Sequence, residues 1–246
     1  MTTMTTWTSR ATCTPPAPKR LPDSVVNFFS EHYQGINIAR LRHLDSLGLD
    51  LEGKRVLDLG AGIGDHSLFY RMKGCDVTAL EGRSDLVDFI RYRLGIHAET
   101  CDMETDLDLL AATTGFDIVH CYGLLYHLAN PARFLAVAAR CGTTMLLETI
   151  VAPDDRGEAN LADEDRFNAT QALSGHGCRP NRTWLYAEMK KHFPHVYVPF
   201  HQPRHPQFPR DWATKNDTHS RIVYIGSHQP LRSPALSTEF LTSYRP

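Results

Sequence analysis

The chain has 246 residues, 42% of them hydrophobic and 22% charged, with 26 Lys/Arg against 28 Asp/Glu and a formal net charge of −2. That length suffices for one sizeable α/β domain, or for one domain with an added cap. The charge balance lacks the basic excess of a general nucleic-acid binder, and no apolar run approaches the roughly 20 residues of a transmembrane helix.

Residues 1–22 are rich in Thr and Pro, without the apolar centre of a signal peptide, and read as a mobile tail. Apolar residues then recur at helical spacing over Val25–Gly48, with Gly35 expected to separate two short helices and Gly48 to end the second. From there strands and helices alternate. Strands are expected at Arg55–Leu59, Asp76–Leu80, Ala98–Cys101, Phe116–Cys121 and Thr144–Thr149. Helices are expected between them at Asp65–Lys73, Ser84–Leu94, Asp106–Ala112 and Pro131–Arg140. This alternation implies a Rossmann-like, doubly wound, mostly parallel sheet with helices on both faces.

After Val151 the pattern weakens. Pro153–Asp165 is acidic and reads as a loop, Arg182–His192 as a helix with Thr183 a candidate cap, and Arg221–Gly226 as a closing strand. Pro194–Asp211 carries five prolines and reads as extended or looped. The expected organisation is one domain over 23–226, with 151–220 as a substrate cap and 227–246 as a loose tail. The six cysteines are scattered, with neither a CxxC pair nor a CxxxCxxC cluster. They fit reduced thiols in a cytoplasmic protein, without a disulfide framework, an iron–sulfur cluster or a metal site.

The chemistry concentrates at strand ends, where open α/β sheets bind ligands. The strand Arg55–Leu59 runs into Gly60-Ala61-Gly62-Ile63-Gly64, a turn whose glycines let backbone N–H groups approach a ligand closely. Asp58 sits just before that turn. Glu81 closes the second strand about 20 residues on, where a carboxylate can accept both hydroxyls of a ribose. Asp102 and Met103 follow the third strand.

Val56–Gly64 resembles the first motif of the class I S-adenosylmethionine (SAM)-dependent methyltransferases. The resemblance covers roughly residues 50–150 and implies SAM as cofactor. It implies that Gly60, Gly62 and Gly64 line the amino-acid part of SAM, with Asp58 near the α-amino group. Glu81 would take the ribose, Asp102 the adenine amino group, and Met103 would pack the ring. Cys121, ending the fourth strand, falls on the same cofactor side. Glu31–Gly35 could close over the cofactor as a helical lid, with Tyr33 towards the sulfonium.

The fourth strand continues as Tyr122-Gly123-Leu124-Leu125-Tyr126-His127, expected to pass beneath the methyl-donor end. Tyr126 and His127 are the candidate catalytic residues, since an imidazole with an ordinary pKa of ~6.5 suits general-base work. Gly123–His127, Asn130-Pro131 and Leu147–Val151 are also similar to the tRNA wobble-uridine carboxymethyltransferase group, which uses a carboxylated SAM derivative. Residues 176–221 hold eight Lys/Arg against three acids, interleaved with aromatics and histidines. Such a segment could form the wall of a substrate pocket for an anionic group, with His176, Arg179, Arg182 and Tyr122 as candidate contacts. Pro203 between His201 and His205 rules out a helix presenting both on one face.

The expectation is therefore a SAM-dependent methyltransferase acting on an oxygen or nitrogen of a small polar, anionic metabolite or sugar. An RNA-modifying enzyme using the basic 176–221 face, a non-catalytic protein retaining the cofactor fold, and an NAD-dependent oxidoreductase are the alternatives.

Overall fold

A computed structural model describes residues 20–154, 156–168, 170–212 and 219–245. The tail expected up to residue 22 therefore lies almost wholly outside the described residues, as do Cys13 and Lys215. In chain order the main elements are α1 (Asp23–Asn27), α2 (Glu31–Ser46), β1 (Arg55–Leu59), α3 (Asp65–Met72), β2 (Asp76–Glu81) and α4 (Ser84–Leu94). Then come β3 (His97–Thr100), α5 (Leu107–Ala112), β4 (Phe116–Tyr122), a one-turn 3₁₀ helix at Leu125–His127, α6 (Pro131–Ala138) and β5 (Gly142–Ile150). The remainder comprises β6 (Leu161–Asp163), β7 (His176–Cys178), α7 (Arg182–His192), β8 (His195–Pro199), β9 (Arg221–Ser227) and β10 (Leu236–Ser237).

Eight strands form one sheet in the order β10-β8-β9-β5-β4-β1-β2-β3. Pairing is parallel from β3 through β5, and antiparallel where β9, β8 and β10 extend the sheet. The strand order reverses between β1 and β4, so a crevice opens at their carboxyl ends. β6 and β7 make a separate two-stranded hairpin.

Side chains alternate across each strand, and this builds two cores. Leu57, Leu59, Val119, Cys121, Met145 and Leu147 face α5, α6 and α7. Val56, Ile118, Tyr122 and Leu146 face the side of α2, α3 and α4. The same alternation turns Asp58, His120 and Glu148 towards the α2–α4 side, where polar groups must find partners.

Four expectations are corrected. α2 runs unbroken through Gly35; the helix break lies earlier, at Ser30, whose hydroxyl accepts from Tyr33 N (3.4 Å). α7 is N-capped by Asn181 rather than Thr183. Residues beyond Ser227 are packed against the body: Ser233 Oγ donates to Leu47 O (2.7 Å), β10 pairs with β8, and Tyr244 is buried. α7 and β8 likewise belong to the layered body, which leaves the β6–β7 hairpin and its loop as the covering part of 151–220.

Candidate active site

A cavity of about 820 Å³ opens at the carboxyl ends of the parallel strands. One end is built by the β1–α3 turn and the ends of β2 and β3. Gly60 and Gly62 line it with φ of +69° and +57°, values that L side chains rarely adopt. A Cβ on Gly62 would stand 2.8 Å from Phe28 Cε1, so only glycine fits beneath the α1–α2 junction. Gly62 N–H donates to Glu81 Oε2 (2.9 Å) and Arg83 N–H to Glu81 Oε1 (3.1 Å). Burial pushes the Glu81 carboxyl above its ordinary value, and these two N–H groups work against that rise. Each oxygen keeps a further lone pair for a hydroxyl donor. Asp102 and Met103 line the same end, with Asp102 Oδ1 accepting from Glu104 N (2.8 Å). Tyr33 borders it from α2, its ring 4.7 Å from that of Phe28. A glycine cradle, a ribose-competent acid and an apolar slot suit SAM, so the residues present fit that group.

At the other end lie Tyr126 and His127, on the 3₁₀ turn after β4. His127 Nδ1–H donates to Glu164 Oε2 (2.5 Å), while Glu164 Oε1 accepts from Arg179 Nη2 (2.9 Å). Ala172 N adds a third bond to Glu164 Oε2 (2.8 Å). Burial pushes the His127 imidazole below its ordinary value, against the pull of Glu164. Burial also works to raise Glu164, but its hydrogen bonds from His127, Ala172 N and Arg179 hold it below the usual carboxylate range. The pair is thus a neutral imidazole with Nδ1 tied to a carboxylate and Nε2 left to accept. The hairpin can come this close only because residue 177 is glycine: a Cβ there would stand 2.2 Å from Tyr126 O.

Tyr126 lies between two guanidiniums, 5.5 Å from Arg179 and 5.0 Å from Arg221. Beneath it, Glu148 is wholly buried and bonded by two arginines: Arg40 Nη2 at 2.5 Å and Arg221 Nη1 at 3.0 Å. Arg40 and Arg221 both border the cavity, with side chains only 4% and 8% exposed. The cluster therefore carries one positive charge more than negative.

Several sequence candidates fall elsewhere. Asp58 is buried under the turn, accepts from Ser67 Oγ (2.6 Å), and does not border the cavity; burial pushes its carboxyl up to about 7. Gly64 caps α3, and a Cβ there would meet Leu94 Cδ1 at 2.8 Å, so it packs rather than lines. Cys121 alternates into the opposite core from Tyr122, which does border the cavity. His176 is exposed on β7 against Asp163 (3.2 Å). Arg182 is buried at the start of α7, its guanidinium 4.3 Å from the Trp212 ring and 5.0 Å from Phe240. It anchors the C-terminal segment, whereas Arg179 stays at the cavity. Glu164, Arg40 and the pairing of Glu148 with Arg221 were missed. Arg40 left a readable signal, a lone charge on the stripe Ile36–Arg40–Leu44–Leu47. Among the described residues no helix is long and apolar enough to cross a membrane, and no group of three or more His, Cys, Asp or Glu is gathered to hold a metal.

Residues 30–211 match the family described as Methyltransferase domain. A tRNA U34 carboxymethyltransferase of Pseudomonas savastanoi pv. phaseolicola is 34% identical over 129 residues, covering 48% of this chain and 39% of that protein. A ubiquinone biosynthesis O-methyltransferase of Xanthomonas oryzae pv. oryzae is 34% identical over 125 residues, covering 47% of this chain and 50% of that protein. The chain thus spans half or less of the length of these curated relatives. Among solved structures, the N-terminal domain of EvdMO1 with SAH bound superposes with a TM-score of 0.61 at 23% identity, over 81% of this chain and 85% of that one, and shares the fold. The family match sets aside the oxidoreductase alternative. The chain belongs to the methyltransferase-domain family and has the Rossmann-like fold of the class I SAM-dependent methyltransferases.

Proposed function

We propose that this enzyme methylates an oxygen or nitrogen of a small polar acceptor bearing an anionic group, with His127 as general base. The observation that carries this is the His127–Glu164 pair set beside three arginines at one end of the cavity. When bound, SAM supplies a methyl group on an activated sulfonium. Gly60, Gly62, Glu81, Asp102, Met103 and Tyr33 would hold it at the other end. Glu164 fixes the His127 tautomer, so Nε2 can take the proton that a hydroxyl or ammonium acceptor must lose. Tyr126, clamped between Arg179 and Arg221, closes the acceptor end and excludes water.

The surplus charge of the Arg40–Glu148–Arg221 cluster supports the anionic group. Both arginines share the one Glu148 carboxylate, which leaves a net positive charge that an acceptor carboxylate or phosphate would balance. An RNA acceptor is the alternative, favoured by the likeness to the tRNA enzyme over 129 residues. In that case the arginines would face the carboxylate of a carboxylated cofactor.

Methyl-labelled SAM incubated with the protein and a cell extract, separated by dialysis into small-molecule and RNA fractions, tests this. Label should enter a dialysable product that chromatography resolves from SAM, and Arg221→Gln should abolish that transfer. Label in the retained tRNA, with no labelled dialysable product other than SAM, would overturn the acceptor class.

A further inference from the structure

The loop after β8 encloses a second cavity, of about 440 Å³, on which the methyl-transfer chemistry does not draw. Arg204, Arg210 and Arg245 line it with His201 and His205, and among the described residues no carboxylate borders it. Pro203, Pro206 and Pro209 fix φ at every third position of this loop. Its backbone is tied down on both flanks. His43 Nε2 donates to His201 O (2.8 Å), and Gln202 Oε1 accepts from Val223 N of β9 (2.8 Å). Arg221 N–H donates to Gln207 O (2.6 Å). Arg245 comes from the packed C-terminal segment, its guanidinium 4.0 Å from the centre of the Phe200 ring.

Three exposed arginines thus border one bowl on a loop held by its backbone. Among the described residues none of the three is ion-paired with a carboxylate. Like charges brought together without a counter-charge repel. A bound oxyanion removes the repulsion, and the planar guanidinium fork matches phosphate oxygens. We propose that this bowl is a phosphate-binding site, taking the group as free phosphate, as a phosphate ester or as an RNA phosphodiester. It adjoins the catalytic cavity without opening into its chemistry: Gln207 Oε1 accepts from Arg221 Nε at 2.7 Å, so the loop buttresses an arginine of the acceptor end. The inference stands independently of the acceptor proposed above.

Inorganic phosphate, titrated into the full chain at constant ionic strength, should give saturable shifts of the His201 and His205 imidazole resonances. Arg204→Ala/Arg210→Ala should weaken that binding by roughly tenfold or more, the loss expected for removed charge-assisted hydrogen bonds. Among the described residues neither side chain is hydrogen-bonded, so SAM affinity and thermal midpoint should stay unchanged and report an intact protein. Lys54→Ala/Lys73→Ala makes the same charge change elsewhere and should bind phosphate like the native chain. A short oligoribonucleotide separates the sources. An RNA ligand binds it with a steep salt dependence whose slope falls by about two in the arginine double variant. A phosphate or its ester leaves the oligonucleotide no tighter than inorganic phosphate. Absence of a saturable shift, or equal phosphate binding by the arginine double variant, overturns the site.

Discussion

Replacing Glu164 by glutamine changes one charge and almost no volume. In the native fold the carboxylate, 3% exposed, accepts from His127 Nδ1 (2.5 Å), Ala172 N (2.8 Å) and Arg179 Nη2 (2.9 Å). An amide offers one acceptor oxygen to those three donors, and its NH₂ must face one of them. Facing His127, it donates to Nδ1 and moves the ring proton to Nε2, where the imidazole cannot serve as base. A charge-assisted hydrogen bond is worth about 1.5–3 kcal/mol, which corresponds to a rate loss of roughly 10- to 150-fold. We expect kcat to fall about 100-fold in Glu164→Gln, in the upper part of that range because the tautomer is also disturbed. SAM affinity, measured by calorimetry, should stay within about twofold, because the residues proposed to hold the ribose and adenine line the other end of the cavity. The pH dependence adds a signed check. Burial lowers His127 and Glu164 raises it, so losing the carboxylate lowers it further. The acid limb of kcat, set by protonation of the base, should therefore move to lower pH. A variant with native kcat and an unmoved acid limb would refute His127 as a base oriented by Glu164.

Glu81→Ala should weaken SAM binding by about 1–3 kcal/mol through lost hydrogen bonds to a charged group, and unchanged affinity by calorimetry would sink the ribose assignment. Arg182→Met keeps the stem but drops the stacking on Trp212 and Phe240 and the bond to Leu241 O (3.2 Å). It should cost about 1–3 kcal/mol in urea unfolding with kcat preserved; lost turnover at native stability would return Arg182 to substrate contact. Stability should also depend on pH. Burial holds His43 at about 4 and His66 at about 3, so the unfolded chain binds their protons first and stability falls as pH drops below about 6.5. Asp58, raised to about 7 by burial, runs the other way and loses stability as pH rises from about 4 to 7. His120, also pushed down by burial, joins the first group, so acidification from pH 7 to 5 should destabilise the protein on balance. Asp58→Asn should steepen that loss, and equal or greater native stability at pH 5 would mean the imidazoles are not buried neutral.

The helix and strand ends that were legible belong to segments whose apolar period and punctuation agree. β1 and α7 fall at the residues expected, Arg55–Leu59 and Arg182–His192. Gly35 misled because a glycine inside a helix costs only about 1 kcal/mol, which packing of Ile36, Ala39 and Leu44 outweighs. The prolines of 194–211 pointed to extended or looped chain but did not announce a paired strand; Pro194 precedes β8 and Pro199 ends it, leaving Val196-Tyr197-Val198 to pair with β9 and β10. The C-terminal segment carries too few apolar residues to announce a strand. Its order comes from partners supplied by β8 and α2, which no local pattern records.

The two ends of the cavity differ in legibility for a physical reason. The cofactor end is made of residues immediately following successive parallel strands, so chain order alone lines up Gly60, Glu81 and Asp102. The acceptor end is assembled across the chain, with Glu148 lying 108 positions from Arg40 and 73 from Arg221. Sequence spacing cannot pair such residues, but charge can. Glu148 interrupts the apolar run of β5, and Arg40 interrupts the buried stripe of α2; each is too costly to bury alone, so each requires an opposite charge. Two arginines and one glutamate satisfy that requirement with one cation to spare. Because Arg40 and Arg221 border the cavity, the spare charge faces the end proposed for the acceptor, and an anionic acceptor would balance it.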